Sequence, residues 1–125
     1  MKGCLRIAIP IFILVVLAIY CAFPHPTHDQ RVLKAVAAES RRLMAAHPVG
    51  PIGPSIDLPK DKWPPAIASL KPGSVTVRPG MVDITTKPFL DGGWGYGFAP
   101  DKQNLTMLVE CWSALGQDVY WHGPC

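Results

Sequence analysis

The chain is short of charge. Of its 125 residues 17% are Asp, Glu, Lys or Arg, and no run of like charge goes beyond Arg41-Arg42. Past residue 23, ten Lys and Arg face nine Asp and Glu, a net charge of +1. The basic stripe that a phosphate backbone demands is therefore missing, which disfavours nucleic acid as a partner. The overall +3 owes its excess to Lys2 and Arg6, which precede an apolar stretch. Equally missing are a phosphate-binding loop, a dinucleotide fingerprint and an internal repeat. The glycines of "DGGWGYGF" lack the following lysine and the β-α-β setting that such sites need. Four cysteines and four histidines show no zinc spacing. No catalytic, metal or cofactor signature is present, and none of these groups is expected.

What the sequence does contain is a long hydrophobic run. Ile7 to Phe23 is seventeen residues without a charged side chain, interrupted only by Pro10. This is the lower limit for a helical membrane span, and Leu5 with a snorkelling Arg6 extends it. Lys2 and Arg6 lie before the run and no Lys or Arg lies in 24–30, so the positive-inside bias puts the amino terminus in the cytoplasm. Residues 1–23 are expected to be a signal-anchor contacting the inner membrane through residues 5–23, with residues 24–125 outside. The alternatives are a cleaved signal peptide and a lipoprotein signal. Both suit the exit poorly, because Tyr20 occupies positions that favour a small residue.

This topology divides the cysteines. Cys4 falls inside, Cys21 at the outer boundary, and Cys111 with Cys125 in the exported part. An oxidising compartment permits a Cys111–Cys125 bridge, and closing a loop of about 15 residues contributes roughly 3 kcal/mol in the chain-entropy model. Free thiols are the alternative, and a metal site with His122 has too few ligands.

Residues 24–47 predict an amphipathic helix. Thr27 and Gln30 fit a capping box, and Arg41, Arg42 and His47 suit the far end before Pro48. Val32, Leu33, Val36, Ala37, Ser40, Leu43, Met44 and His47 recur at helical spacing and form one face. Residues 48–62, rich in proline and glycine, read as an extended connector. Residues 63–125 read as a small antiparallel β domain with a carboxy-terminal disulfide. It opens with a short helical turn in "WPPAIASLKPG". A hairpin follows around Pro79-Gly80, which sets Val75, Val77, Val82 and Ile84 on one face and Thr76, Arg78, Asp83 and Thr85 on a wet one. Further strands are expected at "WGYGF", "LTMLVECW" and "DVYWH", the last two joined by a turn in "SALGQD". The fold class is α+β: an N-terminal transmembrane helix, then an amphipathic helix packed on an antiparallel meander of about five strands.

The candidate binding residues are Trp94, Gly95, Tyr96, Gly97 and Phe98. Glycines alternating with aromatics leave one strand face bare, where a ligand or another chain can approach. The bland alternative is a bent strand whose rings fill the core. Asp91, Glu110, Asp118 and His122 form a possible acid-base set near the last hairpin, and His25 with His28 a pair beside the membrane. Taken together, these features predict a non-catalytic interaction domain anchored at the outer side of a bacterial inner membrane, with a protein or envelope partner. A small enzyme or ligand-binding domain using the acidic and histidine residues is one alternative. A secreted inhibitor-like module released by cleavage is another.

Overall fold

The computed structural model of the chain describes residues 2–90 and 92–125, with side chains from Ala8 onward. Helix α1, Lys2–Ala22, takes up the apolar run. Its side chains from Ala8 are exposed throughout, Phe12 by 70% and Leu14 by 65%. Among the described residues no helix is long and apolar enough to cross a membrane. The stretch Ala8–Ala22 falls short of the roughly 20 residues a span ordinarily takes. The transmembrane helix expected over 5–23 is thus not supported by the fold.

Helix α2, Gln30–Ala46, starts later than a Thr27 cap implies. Its N-cap is Asp29, whose carboxylate accepts the Arg31 N–H at 2.9 Å. A carboxylate is favoured at the positive end of a helix. Thr27 lies before the helix: its hydroxyl oxygen accepts the Asp29 N–H at 3.3 Å, and its own N–H donates to the Tyr96 hydroxyl oxygen at 2.8 Å. The expected apolar face does go inward: Leu33, Val36, Ala37, Ser40 and Leu43 are buried, with Val32 and Met44 packed at the edge of the same cluster. Burying each large aliphatic side chain contributes about 1.5–3 kcal/mol, and this outweighs any single polar contact of the helix.

That face rests on a six-stranded antiparallel sheet. The strands are β1 (Ile56–Asp57), β2 (Ser74–Arg78), β3 (Met81–Phe89), β4 (Gly92–Phe98), β5 (Trp112–Gly116) and β6 (Val119–His122), in the spatial order β1-β2-β3-β4-β6-β5. The alternation around Pro79-Gly80 sets the register as predicted, Val77 opposite Val82 and Val75 opposite Ile84. Gly80 at φ 69° makes the turn that only glycine enters without strain. These four aliphatic side chains, with Tyr96, Phe98 and Val119, meet α2 in one core. A short helix α3, Pro65–Ser69, closes one side of it through Ile67. Prolines 64 and 65 carry no N–H, and the next two donors, Ala66 and Ile67, are both accepted by the Glu39 carboxylate at 3.0 and 2.9 Å.

Three expectations need correction. The connector contributes β1, a two-residue edge strand on β2, which raises the strand count to six. Prolines beside an edge strand interrupt no ladder hydrogen bond. Residues 105–111, expected as a strand, are loop and a short 3₁₀ turn, while most of the expected turn is β5. The turn shrinks to Gln117 and Asp118, both left-handed at φ 58° and 60°, as a two-residue hairpin of the primed kind requires. Finally, the meander breaks at its end: β6, not β5, pairs with β4. Residues 99–111 cross the face expected to be wet, where Met81, Ala99, Leu105 and Trp112 form a second apolar cluster.

Tyr96 joins these layers. It is 4% exposed and its ring meets Trp121 edge-on at 4.8 Å. Burial raises its ionisation above the ordinary phenol value, partly opposed by the Thr27 N–H donated to its oxygen. Such a group contributes fully to stability below the unfolded-chain value of 10.0 and loses that contribution as pH rises through the higher folded value. Spectrophotometric titration is expected to show one of the three tyrosines ionising late. Tyr96→Phe is expected to remove that late step and to lower stability by about 0.5–1.5 kcal/mol in denaturant melts.

Candidate functional site

The five candidate residues of β4 sit in the middle of the sheet, hydrogen-bonded to β3 on one side and largely to β6 on the other. Tyr96 and Phe98 point into the core with α2. Gly95 and Gly97 are buried on the opposite face. A Cβ at Gly97 would stand 2.7 Å from the Trp112 ring and 3.0 Å from Leu105. One at Gly95 would stand 2.6 Å from the Ile84 carbonyl oxygen and 3.2 Å from His122 Nε2. The room that the glycines leave is thus taken by the protein's own side chains. Trp94 is the exception in the set: it is partly exposed, with Phe23 and Phe89 each 5.7 Å from its ring.

On the outer face of the sheet a cavity of about 300 Å³ is lined by Arg78, Asp83, Thr85, Gly92, Thr106, Met107 and His122. Asp83 accepts from Arg78 Nε at 3.3 Å, so the two charges largely cancel. Its other carboxylate oxygen is buried without a hydrogen-bond partner among the described residues. His122 is 6% exposed, lies 4.4 Å from the Trp112 ring, and has Nδ1 3.2 Å from the Gly123 carbonyl oxygen. The lining combines hydroxyls, one compensated ion pair and a thioether. Such a lining offers hydrogen-bonding groups with little net charge.

Of the described members of the acid-base set, only His122 reaches this cavity. Asp118 sits in the turn just before β6, about 13 Å from His122 along the chain, and pairs with Arg41 at 3.0 Å. Glu110 is exposed in the turn before β5, and Asp91 lies outside the described residues. Among the described residues no three His, Cys, Asp or Glu side chains gather as metal ligands. His25 and His28 are exposed, and His25 closes the end of α1 by donating to the Tyr20 carbonyl oxygen at 2.8 Å while stacking on that ring.

Cys111 and Cys125 stand at disulfide distance, their Cα atoms 5.9 Å apart. Trp112, not Cys111, pairs with His122, so the bridge lies just beyond the ladder and closes the open end of the β5–β6 hairpin. Beside it lies an exposed apolar feature. The tip of the β3–β4 hairpin exposes Phe89 by 51% and Leu90 by 89%. Both share a depression with Met107, Pro124 and Cys125. The one available signal was an adjacent apolar pair, Phe89-Leu90, in a segment otherwise marked for a turn.

Comparison with protein-family models, with curated proteins and with solved structures finds no match for this chain.

Two substitutions probe this geometry. Gly95→Val drives a branched side chain against the β3 backbone, which cannot yield as a side chain can. It is expected to lower stability by about 1–3 kcal/mol or to prevent folding, measured by thermal melts. Cys125→Ser is expected to cost about 2–5 kcal/mol. Peptide mapping without reductant should recover Cys111 and Cys125 in one fragment.

Proposed function

We propose that this chain is a membrane-anchored interaction domain, displayed on the outer side of the inner membrane and acting by binding a protein or envelope partner rather than by catalysis. The observation that carries this reading is α1: its described side chains are all apolar or uncharged, all exposed, and matched by no other element of the chain. A helix apolar on every side and left in water forgoes the stabilisation that burial brings, about 1.5–3 kcal/mol for each large side chain. A helix of 21 residues is about 31 Å long, against a hydrocarbon core of about 30 Å. Ile7–Phe23 with Leu5 and a snorkelling Arg6 comes to the lower limit of a span, and on this reading Lys2 and Arg6 lie on the cytoplasmic side. The cysteine pair at bridging distance fits an oxidising compartment outside.

A second reading, a ligand-binding domain, draws support from the cavity around Asp83 and His122. Within the anchored reading, Trp94 is the member of the aromatic-glycine strand placed to meet a partner, since it alone of the five keeps appreciable exposure.

A reporter active only outside the cytoplasm, fused after Cys125, is expected to be active, and replacing Lys2 and Arg6 by glutamate is expected to reduce its activity severalfold. A cytoplasmic carboxy terminus in the unaltered chain refutes the anchored reading. Mild solubilisation and affinity capture of the whole chain should then recover a partner. Trp94→Ala is expected to weaken that recovery without changing the melting cooperativity. A chain that captures nothing but turns over a small molecule would favour the cavity instead.

A further inference from the structure

We propose that the β3–β4 hairpin tip and the loop before β5 rest in the outer interface of the bilayer, so that the domain lies down on the membrane beside the end of α1. This rests on the anchored reading and adds a second, peripheral membrane contact. Two contacts bind the hairpin to the helix end, and a third carries on to the tip. Lys87 Nζ donates to the Ala22 carbonyl oxygen at 3.1 Å, the Phe23 ring is 5.7 Å from Trp94, and Trp94 is 5.7 Å from Phe89. Once Ala22 marks the outer boundary of the bilayer, Phe89 is only two ring contacts away from it.

The chemistry of the tip agrees with that position. Phe23 is 48% exposed, Phe89 51%, Leu90 89%, Met107 42% and Leu108 71%. Phe89, Leu90 and Met107 share one depression, so these three form a patch, to which Phe23 is joined through Trp94. A contiguous apolar patch in water marks a surface made to be covered. Beside it stand two residues that an interface favours, Trp94 and Lys87, whose ammonium is 5.8 Å from the Trp94 ring. A bilayer is the occupant that continuity with α1 selects, because the patch begins at Phe23, the last residue of the apolar run.

The test uses the whole chain with Cys4 and Cys21 changed to serine, leaving the Cys111–Cys125 pair intact. Leu90→Cys carries a polarity-sensitive fluorophore, and the protein is reconstituted in vesicles of phosphatidylethanolamine and phosphatidylglycerol. Ile52→Cys is the reference: Ile52 is fully exposed and lies past the far end of α2, about 25 Å along that helix from α1. Lipids bearing a spin label near the headgroup are expected to quench the label at 90 about twofold or more over that at 52, with a blue-shifted emission. Adding Phe89→Asp is expected to remove about half of the excess quenching or more.

Unaltered quenching in that variant means that the fluorophore drove the insertion, and overturns the proposal. So does a label at 90 as wet as that at 52 in a chain that alkaline extraction leaves in the vesicles, which spares the anchor. A blue-shifted label that lipid does not quench means that protein covers the patch, and overturns it equally. A chain that alkaline extraction releases removes the anchored reading and this proposal together.

Discussion

Seating the α2 stripe on the inner face of the sheet is the interaction on which the rest of the structure depends. Leu33, Val36, Ala37 and Leu43 meet Val75, Val77, Val82, Ile84 and Phe98, and neither layer has another way to bury its apolar side. Polar ties then set where along the sheet the helix sits. Gln30 Nε2 donates to the Leu115 carbonyl oxygen at 2.9 Å near one end, Glu39 holds the start of α3, and Arg41 reaches Asp118. The last pair is largely exposed, 56% and 43%, so its worth is about 0–1 kcal/mol. Apolar burial decides stability here, and the polar contacts decide register.

The sheet is covered on both faces, and β4 makes the second covering possible. Gly95 and Gly97 remove the side chains that would otherwise hold the crossing loop away, and Trp112 and Leu105 come down into the space. A loop that crosses there must deliver the chain beyond β6, to the outer edge. This is why β5 is the edge strand and β6 lies inside it. The Cys111–Cys125 pair then holds the two ends of that hairpin together.

A consequence for function is that the molecule has a polarity. The junction of α1 and α2, the β3–β4 tip and the loop before β5 carry exposed apolar and aromatic side chains, whereas the opposite end carries the proline-rich connector and the far end of α2. The cavity near Asp83 and His122 opens next to Gly92 and Met107, close to the apolar tip. An anchored domain with its apolar end toward the bilayer would hold this cavity near the membrane surface.

Local patterns decided the elements by themselves. Apolar residues at three and four spacing made α2 readable, and alternating valines about Pro79-Gly80 predicted both a hairpin and its register, because each depends on periodicity and turn chemistry within a few residues. The apolar run beginning at Ile7 was equally plain, and the topology expected from it singled out Cys111 and Cys125 as partners. Tertiary structure decided what depended on distant partners. The Thr27–Gln30 capping box did not form: Asp29 caps the helix, Tyr96 accepts the Thr27 N–H and the Gln30 side chain turns to Leu115, both partners far along the chain. Residues 105–111 lost their strand: Leu105 is seated over Gly97 of β4, while Met107, Leu108 and Val109 stay exposed outside any ladder. The glycines thus serve as a seat for Trp112, and the surface that faces outward, Phe89 and Leu90, was invisible beforehand because exposure belongs to the packed chain and leaves no periodicity in the sequence.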